Sequence, residues 1–183
     1  DLFASKLQAM VVELSELDTA GRLPVLEAAR RIAAALDVEK TTKKFFKAYQ
    51  DQHLALLEHI QGIDNERDKR WYASVLLNRL MFVWFLQKKG FLQDQNGSQR
   101  FDYLREQLQI SEQRGANLFY GEFLAALFFE AFAKPEADRS PQAKALTGQI
   151  PYLNGGLFLP HKLEQDADHA LRLGKTLHVA DAA

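Results

Sequence analysis

One stretch of sequence limits the fold of this chain more than any other feature. Between residues 65 and 89, apolar side chains point in every direction around a helix of 3.6 residues per turn. These side chains are Trp71, Tyr72, Val75, Leu76, Leu77, Leu80, Met81, Phe82, Val83, Trp84, Phe85 and Leu86. A helix that is apolar all round is normally enclosed by other helices. The segment is therefore predicted to be the buried central helix of a bundle, with Trp84 inside.

The same segment is a poor candidate for a membrane span. Its most apolar window, residues 71–86, is interrupted by Ser74, Asn78 and Arg79. A transmembrane helix needs about 20 consecutive, predominantly apolar residues. A buried core helix is the better interpretation.

Helical periodicity dominates the first 133 residues. Helices are predicted, in chain order, over residues 2–17, 24–36, 37–60, 65–89, 101–109 and 118–133, with a turn at residues 18–21. After Ala133, prolines and glycines break the chain into loops, and an Asn-Gly pair between apolar residues favours a small hairpin near residues 152–158. The predicted fold class is all-α: an irregular multi-helix bundle around a central buried helix at about 65–89, with a loop-rich C-terminal extension.

Three parts are predicted along the chain. They are an N-terminal helical pair over residues 1–36, a core helical domain over 37–133 and a loop-rich extension over 134–183. The chain begins at Asp1 rather than methionine and shows no signal peptide, so we expect a piece of a larger cytoplasmic protein. The absence of cysteine fits a reducing compartment and excludes disulfides, thiol nucleophiles and cysteine-ligated zinc.

The residue patterns of several enzyme classes are missing. No lysine has Asp or Glu two positions before it, as nucleases of the PD-(D/E)xK kind require, and there is no P-loop and no Asn-Pro-Pro-Tyr tetrad. His53 is predicted to be a satisfied core histidine. A solvated polar tail is the favoured interpretation of Asp166, Asp168 and His169, and a metal cluster is the alternative. We expect no catalytic, cofactor-binding or metal-binding residue in this chain.

Positive charge is concentrated in one region although the whole chain is nearly neutral. Residues 38–92 contain ten Lys and Arg against six Asp and Glu, whereas the chain has a formal net charge of −1. The candidates for contact with the DNA backbone are Lys40, Lys43, Lys44, Lys47, Arg67, Lys69, Arg70, Lys88 and Lys89. A solvated helix face explains the same residues equally well, so composition leaves both interpretations open.

Arg79 differs from these cations because its neighbours on the helix surface are apolar. A buried guanidinium needs a carboxylate or several carbonyl oxygens, since an unpaired charge in the interior is strongly destabilising. Glu130, inside the aromatic run at 127–132, is the predicted partner, and Glu122 is the second choice. The pair is predicted to be structural and to hold two helices in register.

Four stretches of the sequence resemble a known family. Residues 41–49, 71–82, 85–92 and 150–158 read TTKKFFKAY, WYASVLLNRLMF, FLQKKGFL and IPYLNGGLF. They resemble the fused type IIG restriction endonuclease–adenine-specific DNA methyltransferases and the related methyltransferases of phage-exclusion systems. The resemblance covers residues 37–164, and none of the family's catalytic motifs falls within it.

In that family the segment is similar to a helical connector that follows a nuclease and precedes the methyltransferase core. The resemblance implies a non-catalytic module of a bacterial restriction-modification protein that acts in phage defence. It also implies that the module positions the catalytic domains and contacts duplex DNA weakly and without sequence preference. S-adenosylmethionine would then bind the parent protein outside these residues, and residues 134–183 would lead toward a downstream methyltransferase domain.

Two other functions stay open. In the first, the chain is a helical protein–protein adaptor without DNA contact. Its docking patch would consist of Phe91, Phe119, Tyr152, Leu157 and Phe158. In the second, it is a hydrolase with an unrecognised site, which a deep pocket with paired carboxylates would reveal.

Overall fold

The computed structural model describes residues 8, 11–17, 24–36, 39–153 and 155–181. The chain forms two compact units, residues 1–50 and 51–183. The boundary between them falls within a helix. The three-part division of the chain stays a prediction.

The first unit contains helix α1 (Val25–Leu36) and the beginning of helix α2 (Glu39–His59). The Arg31 side chain bonds a carboxylate on α1 and another on a short 3₁₀ turn at residues 14–16: its Nη2 lies 2.5 Å from Glu16 Oε1 and its Nε lies 3.2 Å from Glu27 Oε1. Half of the helix predicted over residues 2–17, and the whole turn predicted at 18–21, fall outside the described residues. In the described part, residues 11–13 are not helical and residues 14–16 form the 3₁₀ turn, so the prediction of a continuous helix up to residue 17 is wrong.

Helix α3 (Glu66–Lys88) is the longest element of the second unit. Asn65 begins it, because the Asn65 Oδ1 accepts hydrogen bonds from the backbone N–H groups of Arg67 and Asp68 at 2.9 and 3.1 Å. Gly90, which has a φ of +73°, follows its C-terminal end. One face of α3 is buried, and it carries Tyr72, Ala73, Leu76, Arg79, Val83, Leu86 and Gln87.

The opposite face of α3 is exposed, which corrects one prediction. Trp84 is 55% exposed, and Trp71, Met81, Phe82 and Phe85 also reach the surface. The all-α fold class is confirmed. The prediction that α3 is enclosed around its whole circumference, with Trp84 inside, is wrong. Periodicity identifies apolar faces, but it does not show which of them the fold itself covers.

A helix over residues 118–132 supplies much of the core that packs with α3. Two of its stretches, Phe119–Leu124 and Leu127–Phe132, are π-helical. Its buried aromatic side chains are Phe119, Tyr120, Phe123, Phe128, Phe129 and Phe132.

Two further α-helices complete the second unit: α4 (Tyr103–Arg114) and α5 (Pro141–Thr147). The sequence signals of α5 were missed. Ser140 caps it by accepting a hydrogen bond from the Ala143 N–H at 3.1 Å, and proline occupies its first position.

The strands among the described residues are very short. Strand β1 (Ile60–Gln61) pairs antiparallel with strand β2 (His178–Val179), and Ile60 lies opposite Val179. This pair fixes the loop-rich extension to the C-terminal end of α2.

The hairpin predicted near residues 152–158 is wrong. Gly156–Phe158 forms a 3₁₀ turn, and the Phe158 side chain is buried in the core. Burial of this ring fixes the backbone in a turn, so no ladder of paired strands forms here. Asn154 lies outside the described residues.

Gly174 is a position where a side chain does not fit. Its φ is +79°, and an added Cβ would lie 2.6 Å from the carbonyl oxygen of Gly121. We expect Gly174→Ala to lower the free energy of unfolding by about 2 kcal/mol, because left-handed backbone alone costs an L-residue roughly 1–2 kcal/mol. Urea denaturation followed by circular dichroism measures this change.

Gly155→Ala is the matched control for this substitution. Gly155 has a φ of −149°, and an added Cβ would meet nothing within 4 Å. Its effect should stay below about 0.5 kcal/mol. Equal effects of the two substitutions would contradict the close approach of Gly174 to Gly121.

Candidate interaction surface

Arg79 connects the buried face of α3 to residues 157–164. Its Nη1 and Nη2 donate to the two carboxylate oxygens of Glu164 at 2.5 and 3.0 Å, and both side chains are almost fully buried. Its Nε donates to the carbonyl oxygen of Leu157 at 2.8 Å, and Nη2 also donates to that of Leu159 at 3.0 Å. The predicted burial of Arg79, and its need for a carboxylate, are confirmed.

Glu130 is not the partner of Arg79, which corrects the predicted pair. The half-buried Glu130 carboxylate accepts hydrogen bonds from Lys134 Nζ at 2.5 Å and from the Ser140 N–H at 2.8 Å. Partial burial alone would raise the pKa of Glu130, but these hydrogen bonds lower it below its ordinary value. The second choice, Glu122, pairs instead with Arg114 at 2.8 Å.

Sequence reasoning missed Glu164 because it lies 85 residues from Arg79, in the loop-rich extension. A local signal for its anchoring exists: Glu164 Oε2 accepts a hydrogen bond from the His161 N–H at 2.9 Å, as part of a capping box on a 3₁₀ turn. That signal identifies a fixed carboxylate. It does not identify the cation that the carboxylate meets.

The exposed face of α3 carries five large apolar side chains, which we call the apolar stripe. Its members are Trp71, Met81, Phe82, Trp84 and Phe85, each between 37% and 55% exposed. Both tryptophans of the chain belong to it. Isolated apolar side chains are common on protein surfaces, but five on one helix face form a candidate binding surface.

Positive charge lies at both ends of the apolar stripe. Arg67 and Arg70 are exposed near the N-terminal end of α3, and Lys88 and Lys89 are exposed at its C-terminal end. No Asp or Glu occurs in the sequence between Lys69 and Lys89. Large apolar side chains therefore lie between two groups of cations on this face, together with the exposed Asn78, and the N-terminal group also contains the exposed Glu66.

The predicted DNA-contacting cations are distributed between the two units. Lys43, Lys44 and Lys47 are exposed on the part of α2 that belongs to the first unit, whereas the side chain of Lys40 lies outside the described residues. Lys69, in the second unit, is half-buried.

Two of the α3 lysines have partners within the chain. Lys88 Nζ donates to Asp102 Oδ1 at 2.8 Å, and this bond lowers the pKa of the Asp102 carboxyl. Lys89 Nζ lies 5.8 Å from the centre of the Phe85 ring. The ammonium group of Lys89 therefore borders the apolar stripe directly.

A shallow cleft of about 450 Å³ lies at the N-terminal end of α3. The Trp71 and His161 rings, with centroids 4.0 Å apart, line it together with Arg67, Asp68 and Lys162. Burial lowers the pKa of His161, which favours the neutral imidazole near pH 7. Sequence reasoning missed Lys162, because only the tertiary structure places it beside Arg67.

The candidate histidine and aspartate residues form hydrogen bonds within the fold. His53 Nε2 lies 2.9 Å from the carbonyl oxygen of Arg70, so its polar atom is satisfied as predicted, but the side chain is half-buried and does not belong to the core. Asp166 Oδ1 accepts hydrogen bonds from the N–H groups of Asp168 and Ala170 at 3.0 and 2.9 Å, which closes a local turn. Within the described part of the chain, no three His, Cys, Asp or Glu side chains form a group that could hold a metal ion.

The docking patch predicted for an adaptor does not form as a unit. Phe119 and Phe158 are 6% and 1% exposed and belong to the core, whereas Phe91, Tyr152 and Leu157 are exposed. Each of the two buried rings packs against other aromatic rings of the second unit. Five exposed apolar side chains lie instead on α3, the helix predicted to be buried on all sides.

The fold and this surface define the class of the protein as an all-α domain with an apolar and cationic helix face. Among the described residues, no helix combines the length and apolar character that crossing a membrane requires. The chain belongs to the family described as "Domain of unknown function (DUF7814)", which matches residues 38–180.

One curated relative of this chain is a much longer protein. Over 141 residues, 74% of this chain, the sequence is 29% identical to a Methanocaldococcus jannaschii protein named "Putative type II restriction enzyme and methyltransferase". The match covers 11% of that relative, so the chain spans about a tenth of its length. The similarity supports a relationship to a restriction-modification protein. No solved structure matches the chain.

Proposed function

We propose that this chain is a non-catalytic helical connector of a larger restriction-modification protein that methylates adenine in DNA. The observation that carries the proposal is the similarity to a short segment of a relative whose name joins a restriction enzyme and a methyltransferase. Methyl transfer, S-adenosylmethionine binding and DNA cleavage would then belong to other parts of the parent protein. The connector would position those parts relative to one another and to the DNA.

The coding sequence on either side of this segment tests the connector proposal directly. We expect an S-adenosylmethionine-binding region and an Asn-Pro-Pro-Tyr tetrad downstream of residue 183 in the parent reading frame. A parent without both features would contradict the assignment.

Contact with the DNA backbone is the second part of the proposal, and the lysines of α2 are its best candidates. Lys43, Lys44 and Lys47 are exposed within about one turn of α2, and the exposed side chains of Phe45 and Phe46 lie beside them. Cations that neutralise phosphates release condensed counterions, which favours binding without reading the base sequence. The segment would thus strengthen DNA binding while bases are recognised elsewhere in the parent.

We expect duplex DNA to bind this chain weakly, with a Kd of roughly 10⁻⁴–10⁻⁶ M and equal affinity for unrelated sequences. Fluorescence anisotropy of a labelled 20-base-pair duplex, titrated at several salt concentrations, measures the affinity and its salt dependence. The triple substitution Lys43→Gln/Lys44→Gln/Lys47→Gln should reduce the slope of log K against log salt by about 2–3, because each phosphate contact contributes about 0.9.

A charge-matched variant separates local contact from net charge. Arg105→Gln/Lys144→Gln/Lys175→Gln removes the same number of exposed cations from positions outside the proposed DNA set. We expect this variant to keep the slope of the unaltered chain. Equal slopes for the two triple variants, or DNA binding that does not depend on salt, would contradict backbone contact by α2.

A further inference from the structure

We propose that the apolar stripe of α3 is the docking surface for an amphipathic helix. This partner helix has an apolar face in its middle and acidic residues at both its N-terminal and C-terminal ends. The partner is defined by its chemistry: an apolar centre for the five exposed side chains of the stripe and carboxylates for the cations at its ends. The inference goes beyond the proposed function, since it holds whether or not the chain contacts DNA.

The burial pattern of α3 is the first argument. One face of the helix is built into the core, with Tyr72, Leu76 and Val83 at 0–1% exposure, so the helix is held rigidly. The other face presents two tryptophans, two phenylalanines and a methionine to solvent. Tryptophan, phenylalanine and methionine are enriched in protein–protein interfaces, and such a rigid platform loses little conformational entropy on binding.

The charge pattern is the second argument, and it selects the partner. Arg70 and Lys88 are 18 positions apart, which corresponds to about 27 Å along a helix. Between them the only cation is Arg79, which is buried and bonded to Glu164. A partner helix of five turns with Asp or Glu at each end would meet Arg67 and Arg70 at one end, and apolar side chains in between. At the other end it would meet Lys89, since Lys88 is bonded to Asp102.

The same charges argue against two other occupants. In a two-fold symmetric dimer the stripe would face its own copy, and an antiparallel arrangement would set the arginines at one end against the lysines at the other. Duplex DNA carries about one negative charge per 1.7 Å of its axis. If duplex DNA lay on the stripe, the apolar middle of the stripe would cover phosphates. No cation there would compensate for the solvation that those phosphates lose, which disfavours DNA as the occupant.

The two tryptophans make the inference measurable, since Trp71 and Trp84 both lie on the stripe and are the only ones in the chain. The probe is a 22-residue helical peptide with a leucine face and two glutamates at each end. We expect it to shift tryptophan emission to shorter wavelength and to reduce acrylamide quenching at least twofold. A peptide with the same leucine face and lysines at its ends should bind at least tenfold more weakly.

Two double variants locate the binding on the stripe while keeping both tryptophans. Met81→Glu/Phe85→Glu should weaken binding of the acidic peptide at least tenfold. Phe91→Glu/Phe101→Glu places the same charges at two exposed phenylalanines outside α3 and should leave binding unchanged. Because all four residues are exposed, circular dichroism should report the same helical content for every variant.

The remaining outcomes each overturn the inference. Equal affinity for both peptides would contradict the acidic character of the partner. If the acidic peptide did not protect the tryptophans from acrylamide, the docking site itself would be contradicted. Tryptophan protection by duplex DNA, by phosphatidylserine vesicles or by raising the protein concentration alone would assign the stripe to DNA, a membrane or a second copy. The α2 lysine variants should bind the acidic peptide normally, so failure of DNA contact and failure of docking are distinguishable.

Discussion

Glu164→Ala is expected to lower the free energy of unfolding by about 3–5 kcal/mol, because Arg79 would keep its charge in the core without a counter-ion. The guanidinium would retain its hydrogen bonds to the carbonyl oxygens of Leu157 and Leu159, and these do not neutralise it. The substitution would also remove the acceptor for the His161 N–H. Urea denaturation followed by circular dichroism measures the loss.

Removing both partners should be milder than removing one. We expect Arg79→Met/Glu164→Leu to recover much of the stability lost in Glu164→Ala, since replacing a buried ion pair with apolar residues is often close to neutral. Asp102→Ala, which breaks the exposed pair with Lys88, is the control and should lower the free energy of unfolding far less. If Glu164→Ala resembled Asp102→Ala, the buried pair would be contradicted.

Phe158→Ala should have an effect of similar size, about 3–5 kcal/mol, because it removes a large ring from a closely packed site. Phe158 is 1% exposed, and its ring centroid lies 4.5 Å from that of Phe132 and 5.6 Å from that of Phe128. Its third aromatic neighbour is Phe82 on α3, at 5.8 Å. Losing this ring would loosen residues 156–164 from the helices they cover.

Phe91→Ala is the matched control for Phe158→Ala, since Phe91 is 56% exposed. Its effect on the free energy of unfolding should stay within about 0.5 kcal/mol. The two phenylalanines were predicted to share one exposed docking patch, so equal and small effects would restore that patch and contradict the burial of Phe158. Thermal unfolding of both variants provides the comparison.

Helix positions were largely predictable because their signals are local. The segments predicted at 24–36, 37–60 and 65–89 correspond to Val25–Leu36, Glu39–His59 and Glu66–Lys88. Gly90, with a φ of +73°, follows the end of α3. The helix predicted at 101–109 extends to Arg114, and α5 was missed because the Pro-rich region around it was read as loop.

The candidate site was less predictable because its features depend on distant parts of the chain. The sequence indicated that Arg79 would be buried and would need a carboxylate. Among the acidic residues it pointed to Glu130, since Glu130 lies in an apolar run. The carboxylate that meets Arg79 belongs to a capped turn in the extension, and helical periodicity carries no information about that contact.

The sequence by itself determined the all-α class, the positions of the main helices, the burial of Arg79 and the concentration of cations around α2 and α3. Each follows from the residue types within one or two helical turns, because backbone hydrogen bonding and side-chain spacing determine structure over that distance. Only the tertiary structure decided that Glu164 neutralises Arg79, that Phe158 fills the core and that Trp84 faces solvent. Those outcomes depend on which segments, far apart in the chain, cover a given helix face, and an apolar helix face has the same composition whether its own fold covers it or leaves it exposed.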